Sequence, residues 1–179
     1  MILTRDFYCR DPMTVARDMV GAYLCRATPD GQTVRARICE LELYTEDERA
    51  CHAFGGRKSA RNDAMFMAGG HAYVYLCYGL HNMLNIVVGQ EGYAAAVLIR
   101  ALEYEGCNGP GRLTGRLSIT RADNKLDLTS SDARLWLSPC VARPKIITGT
   151  RIGVDYAGPD AALPWRFLIA DSKYVSRAP

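Results

Sequence analysis

No stretch of this 179-residue sequence approaches the about 18 consecutive apolar residues of a membrane-spanning helix, and its start, MILTRDFYCRDPM, has neither a basic nor an apolar leader region. A soluble, cytoplasmic protein without membrane attachment is expected. None of the seven cysteines (Cys9, Cys25, Cys39, Cys51, Cys77, Cys107 and Cys140) forms a CxxC pair, and their number is odd. Neither a disulfide framework nor a zinc ribbon is suggested, and reduced, mostly buried thiols are the better reading. Lysine is scarce: only four of the 22 basic residues, the rest being arginine, whose planar fork matches phosphate geometry. Repeats, low-complexity tracts and linker-like stretches are also lacking, so residues 1–179 read as a single domain. The chain does have 49% hydrophobic residues and a net charge of +3, the composition of an ordinary globular domain with no partner identified.

The charge is unevenly placed. From Gly109 to Arg151 the basic residues Arg112, Arg116, Arg121, Lys125, Arg134, Arg143, Lys145 and Arg151 face Asp123, Asp127 and Asp132, a local net charge of +5. Glu40, Glu42, Glu46, Asp47 and Glu48 crowd together upstream, followed by the basic Arg57, Lys58 and Arg61. On charge alone such a basic segment reads as a solvated face.

Asp11 and Pro12 supply an N-cap and a first-turn proline, and Val15, Met19, Val20, Tyr23 and Leu24 recur at helical spacing, which predicts a scaffold helix. Pro29, Asp30 and Gly31 mark a turn, and Val34 to Tyr44 alternates as a strand does. Its parity changes partway: Val34, Ala36 and Ile38 make one side apolar, yet that side continues with Glu40, Glu42 and Tyr44 while Leu41 and Leu43 fall opposite. A bulge or a turn of the sheet near Cys39 would produce the switch, and bulges often re-aim side chains beside active sites. His71 to Tyr78 and Asn82 to Val88 read as a hairpin joined through Gly79 to His81, and Ala94 to Leu102 as a third strand. Gly109, Pro110 and Gly111 precede a short helix with Leu113 and Leu117 on one side and Arg112 and Arg116 beside it. Ile146 to Tyr156, and Trp165, Phe167 and Ile169, read as further strands. The fold class expected is α+β: a curved, largely antiparallel sheet flanked by helices, with a protruding hairpin.

Glu40 and Glu42 sit two residues apart on one strand, so both carboxylates share a face about 7 Å apart. Like charges near apolar strands raise at least one pKa and suit a general base, although an ELE triplet is more commonly a surface pair. Tyr73, Tyr75 and Tyr78 lie close together, and Tyr44 shares the parity of the glutamates. Aromatic stripes are more often core than site, yet several phenols together favour a rim or pocket, and their faces stack on bases and attract cationic rings. His52, His71 and His81 lack metal-ligand spacing. Asn62, Asn82 and Asn85 read as turn or edge residues. Arg100, embedded in AVLIRAL, needs an anion, either Glu103 or another carboxylate, or a phosphate.

The ordered series ICELELY, ACHAFGGR, ARNDAMFM, YVYLCYGLHNMLNI, VLIRALE, NGPGRL, LSIT, RIGV, AG and PWRFLI resembles the alkyladenine (3-methyladenine, or methylpurine) DNA glycosylases over nearly the whole chain. The resemblance implies that Glu42 activates the water that attacks C1′ of a flipped nucleotide, with Arg100 helping to place that water near the backbone phosphate. It implies that Tyr44, His52 and Tyr75 sandwich the extruded base, that main chain near Ala50 and His52 meets its polar edge, and that Asn85 discourages normal guanine. Tyr78 would enter the duplex from the hairpin tip, with Leu80, His81, Arg112 and Arg116 on the DNA beside it.

The expected substrate is double-stranded DNA containing a damaged purine: 3-methyladenine first, with 7-methylguanine, hypoxanthine and ethenoadenine as further, unranked candidates. A monofunctional, monomeric enzyme without metal or other cofactor is implied, since Lys58 is the one lysine near these residues in sequence. Two other readings stand beside it, a non-catalytic damage-binding protein of the same fold and a carbohydrate-directed hydrolase using Glu40 and Glu42 as paired acids. Members of the family it resembles commonly carry a longer segment after the RALE element, where this chain has only Tyr104 to Asn108 before Gly109.

Overall fold

Eight strands pair into one antiparallel sheet. In the computed structural model, which describes residues 1–28 and 30–177, they are β1 (Tyr23–Ala27), β2 (Thr33–Thr45), β3 (Ala72–Cys77), β4 (His81–Val87), β5 (Ala95–Glu103), β6 (Leu135–Ser138), β7 (Ile146–Gly149) and β8 (Arg166–Ile169). The order is β3-β4-β5-β2-β1-β6, with β8 pairing β2 and β7 pairing β8. One edge of β2 is shared between β1 and β8, and its other edge carries β5, so the sheet curls around this long strand. Three short helices complete the α+β architecture: α1 (Arg5–Tyr8), α2 (Pro12–Met19) and α3 (Pro110–Arg116). Among the described residues no helix is long and apolar enough to cross a membrane.

The parity switch in β2 is a bulge. Ile38 pairs with Leu102 and Glu40 with Ala101, so the register slips across Cys39, and it slips again before Leu41 meets Ile99. Because strand side chains alternate, one extra residue sends everything after it to the other face. Leu41 and Leu43 join Val74, Leu84, Ile86, Val97 and Ile99 in the main core, while Glu40, Glu42 and Tyr44 turn to the opposite face. That face is partly covered by the loop carrying Cys51, Ala53, Ala64 and Met65, which packs on Tyr73, Val87 and Ala96 as a second core.

Several expectations need correction. The helix beginning at Asp11 ends at Met19 because Gly21 adopts φ +89°, and Tyr23 and Leu24 belong to β1. The Asp11 carboxylate does accept from Thr14 N at 2.8 Å as an N-cap. Pro29 lies outside the described residues, although Gly31 N donates to Thr28 O in the same turn. The strand expected from Ile146 to Tyr156 stops at Gly149, and residues 155–162 form irregular 3-10 turns. The hairpin tip is Tyr78 to Leu80, one residue earlier than expected. All seven cysteines are free, Cys9, Cys77 and Cys140 being only half-buried, and burial pushes the thiols of Cys39 and Cys51 up to about 12.

The basic residues of the segment are solvated except for Arg151, and several of them are paired. Arg151 is buried against Glu48, Arg134 and Lys125 bind Asp123 and Asp63, and Arg143 reaches Asp18. Asp123 is a hub, accepting from Arg26 Nη1 at 2.9 Å, Arg134 Nε at 2.7 Å and Thr120 N at 2.9 Å. It fastens the segment after α3 to β1. Arg112, Arg116, Arg121, Lys125, Arg134, Arg143 and Lys145 are all exposed.

Candidate active site

The register sets a row of side chains across the sheet: Tyr73 opposite Asn85, Asn85 opposite Leu98, Leu98 opposite Glu42, and Glu42 opposite Arg166. Tyr75 and Met83 form the next pair on β3 and β4. Above this row lies a cleft of about 540 Å³ lined by Tyr44, Ala50, His52, Tyr75, Tyr78, Asn85 and Arg100, among others. Residues from four strands and several loops, Tyr44 and Tyr156 among them being 112 positions apart in sequence, thus converge on one concavity. A larger cavity of about 680 Å³ lies by α1 and α2 around Arg10, Arg17 and Asp18, with none of the motif residues in its lining. Size therefore does not pick out the site, whereas chemistry does.

Glu42 lies just beneath the cleft and is fully buried. Its Oε2 accepts from Tyr44 Oη at 2.7 Å and Arg100 Nη1 at 3.3 Å, and its Oε1 from Ile152 N at 2.8 Å. Arg100 resolves its partner in favour of carboxylates: Nε donates to Glu40 Oε1 at 3.1 Å, while Glu103 contacts Arg37 instead. Glu40, also fully buried, is further held by Arg166 at 3.2 Å and by the main-chain N and hydroxyl of Ser176. The two glutamates are thus a buried pair bridged by an arginine and not a surface pair.

The aromatic walls are cross-braced. His52 Nδ1 shares a hydrogen bond of 2.9 Å with Tyr73 Oη, and its ring stands edge-on to Tyr75 with centroids 4.7 Å apart. Asn85 Nδ2 donates to Tyr73 O at 3.1 Å, fixing the amide on the cleft floor. Burial, then the charge of Arg61, lowers the pKa of His52 below its usual 6.5, which favours a neutral ring. Burial and the adjacent Glu42 raise the Tyr44 phenol well above 10 and keep its proton in place.

At the mouth, Tyr78 occupies the hairpin tip with φ 49° next to Gly79 at φ 70°, and Leu80 N closes the turn onto Cys77 O at 3.0 Å. Tyr78 and Leu80 project into solvent, 94% and 77% exposed. His81 leaves the cleft and packs on α3, where a Cβ added at Gly111 would come within 2.9 Å of its ring. Arg112 and Arg116 extend from the exposed side of that helix, Arg112 toward Asn108 Oδ1 at 3.0 Å and Arg116 over the Tyr104 ring at 5.4 Å. Sequence reasoning missed Glu48, Arg151, Ile152 N, Tyr156 and Ser176. Arg151 and Glu48 are 103 residues apart, and no local pattern signals their pairing. No group of three His, Cys, Asp or Glu side chains among the described residues is placed to hold a metal ion.

The family model for methylpurine-DNA glycosylase (MPG) matches residues 6–173. The chain belongs to the methylpurine-DNA glycosylase family. A relative from Methanocella arvoryzae, provisionally named a 3-methyladenine DNA glycosylase, is 47% identical, covering 99% of this chain and 98% of its own length. Similarly named proteins from an Anaeromyxobacter species and from Carboxydothermus hydrogenoformans are 45% and 41% identical, covering 100% and 99% of this chain and 94% and 100% of their own lengths. The match to the Methanocella glycosylase extends over 198 aligned positions against the 179 residues here, so that relative has residues without a counterpart. Within this member of the family β5 leads to α3 through a tight turn in which Cys107 N donates to Tyr104 O and Leu102 N to Cys107 O. Membership makes the protein a DNA glycosylase, a hydrolase of N-glycosyl bonds that takes DNA as its substrate.

Proposed function

We propose that residues 1–179 act as one monomeric, monofunctional glycosylase domain that flips damaged purines, 3-methyladenine foremost, out of duplex DNA and hydrolyses them with water activated by Glu42. The observation that carries this reading is the coordination of Glu42. A carboxylate offers about four lone-pair sites, and Tyr44, Arg100 and Ile152 N fill three. One remains for a water. Glu42 then takes the proton as the water oxygen bonds to C1′ and the purine departs with the glycosidic electron pair. Arg100, which lines the cleft while touching both glutamates, orients that water. Stacking on Tyr44 and Tyr75 favours cationic methylated purines, and a neutral His52 avoids repelling them.

The main chain at Ala50 and His52 meets the polar edge of the base, and Asn85 limits what fits beside it. Tyr78 would fill the gap left in the duplex, with Leu80, His81, Arg112 and Arg116 along the backbone. No lysine lines the cleft among the described residues, and Lys58 lies over Phe66 at 5.3 Å, which supports hydrolysis without an imine step. The paired-acid reading loses support because Glu40 is occupied by Arg100, Arg166 and Ser176.

Base release from a panel of duplexes, each with one defined lesion, tests the reading. Excision of alkylated purines without strand cleavage is expected, and release from none of them would overturn it. For Tyr78→Ala, single-turnover excision from paired duplex is expected to fall about tenfold, since stacking of one base is worth about 1–3 kcal/mol. A substrate with the lesion in a loop should suffer less, and equal loss on both would rule out a wedge.

A further inference from the structure

Behind Tyr44 lies an ion pair that the chemistry above does not use. Arg151 Nη1 and Nη2 donate to Glu48 Oε1 and Oε2 at 2.7 and 2.8 Å, and the two side chains are 0% and 3% exposed. The guanidinium carbon is 4.8 Å from the centroid of the Tyr44 ring and 5.5 Å from that of Trp165. Arg151 does not line the cleft although Tyr44 does, which places the cation against the buried side of the tyrosine. The pair is tied to the adjoining walls as well. Arg151 donates to Leu43 O at 3.0 Å and Asp160 O at 3.1 Å, and Glu48 Oε2 accepts from Ala50 N at 2.8 Å.

We propose that the Arg151–Glu48 pair sets the preference between cationic and neutral damaged bases by fixing the charge presented to the far side of Tyr44, an inference that rests on the glycosylase reading of the cleft. The physical basis is that an aromatic ring has one electron cloud shared by both faces. A guanidinium drawn to one face works against a second cation at the other, and Glu48 offsets most of that penalty. A base stacked at an ordinary separation of about 3.5 Å would lie about 8 Å from the Arg151 charge. At that range an unbalanced charge is felt even at a high effective dielectric. A neutral base such as hypoxanthine experiences little of it.

The test compares duplexes containing 7-methylguanine, which is cationic, with duplexes containing hypoxanthine, which is neutral. The quantity read is the ratio of single-turnover excision rates, with the ratio of affinities in a Glu42→Gln background as a second readout. Glu48→Gln leaves the guanidinium unbalanced and is expected to shift the cationic-to-neutral ratio down about fivefold. Glu48→Gln/Arg151→Met removes the pair with little change of volume and is expected to shift the ratio above that of the wild type. Either displacement supports the proposal, so a variant that fails to fold does not leave the question without an answer. A loss of activity that is equal on both lesions, in whichever variant folds, would show the pair to be structural only and overturn the proposal. A wild-type enzyme that releases neither base would instead sink the underlying glycosylase reading, and the two failures are therefore distinguishable.

Discussion

Glu42→Gln is expected to lower single-turnover base release by about 10²–10⁴-fold, the usual contribution of a positioned general base, while affinity for lesion duplex stays near that of the wild type. The substitution is nearly isosteric. A glutamine oxygen still accepts from Ile152 N, and the Tyr44 hydroxyl can rotate to accept from the new amide. Arg100 loses one anionic partner but keeps Glu40 and the Ser176 hydroxyl. What disappears is a site able to take a proton from water. Gel-shift binding and rapid-quench excision on one duplex separate the two effects. Excision near the wild-type rate would remove Glu42 from the proposed mechanism, and parallel loss of binding and folding would show that the residue is needed for architecture instead.

Asp123→Asn should cost about 3–5 kcal/mol of folding stability, the range for breaking a buried ion pair by removing one partner. Arg26 is only 7% exposed, and without Asp123 its charge has lost its anion while Ser118 O remains as its other acceptor. Burial opposes ionisation of Asp123, but the Thr120 N–H and the two arginines outweigh it and hold the pKa below the usual carboxylate value. A depressed folded-state pKa gives stability that is present above the unfolded value of about 3.9 and is lost as pH falls through the folded one. Urea melts at neutral pH should therefore show a large gap between wild type and variant, and the gap should close in increasingly acidic buffer. An unchanged midpoint at neutral pH would contradict the hub assignment.

How much of this could be read beforehand depended on the range of the signal. Alternation along Val34 to Tyr44 exposed the bulge, because a parity error in a strand is a local event, and the same period revealed the hairpin around Tyr78 and Gly79. Tyr23 and Leu24 misled because their spacing from Val20 fits a helix equally well, and only the left-handed backbone of Gly21 decides otherwise. Counting charges read the surface correctly except at one residue. Of the eight basic residues between Gly109 and Arg151, Arg151 alone is buried, against Glu48, while the exposed Arg134 and Arg143 reach Asp123 and Asp18. Likewise three glutamates of the acidic cluster are buried, Glu40 and Glu42 sharing Arg100 and Glu48 paired with Arg151. Which chain segments meet was legible only through the family resemblance.

The hairpin tip carries a residue that its backbone does not favour. A left-handed φ of 49° suits glycine or asparagine, and a tyrosine there costs about 1–2 kcal/mol. With its ring 94% exposed, nothing in the free protein repays that cost through packing. A selection for folding stability alone would accordingly replace Tyr78, so libraries screened for thermal tolerance and libraries screened for repair of alkylated DNA should diverge first at this position.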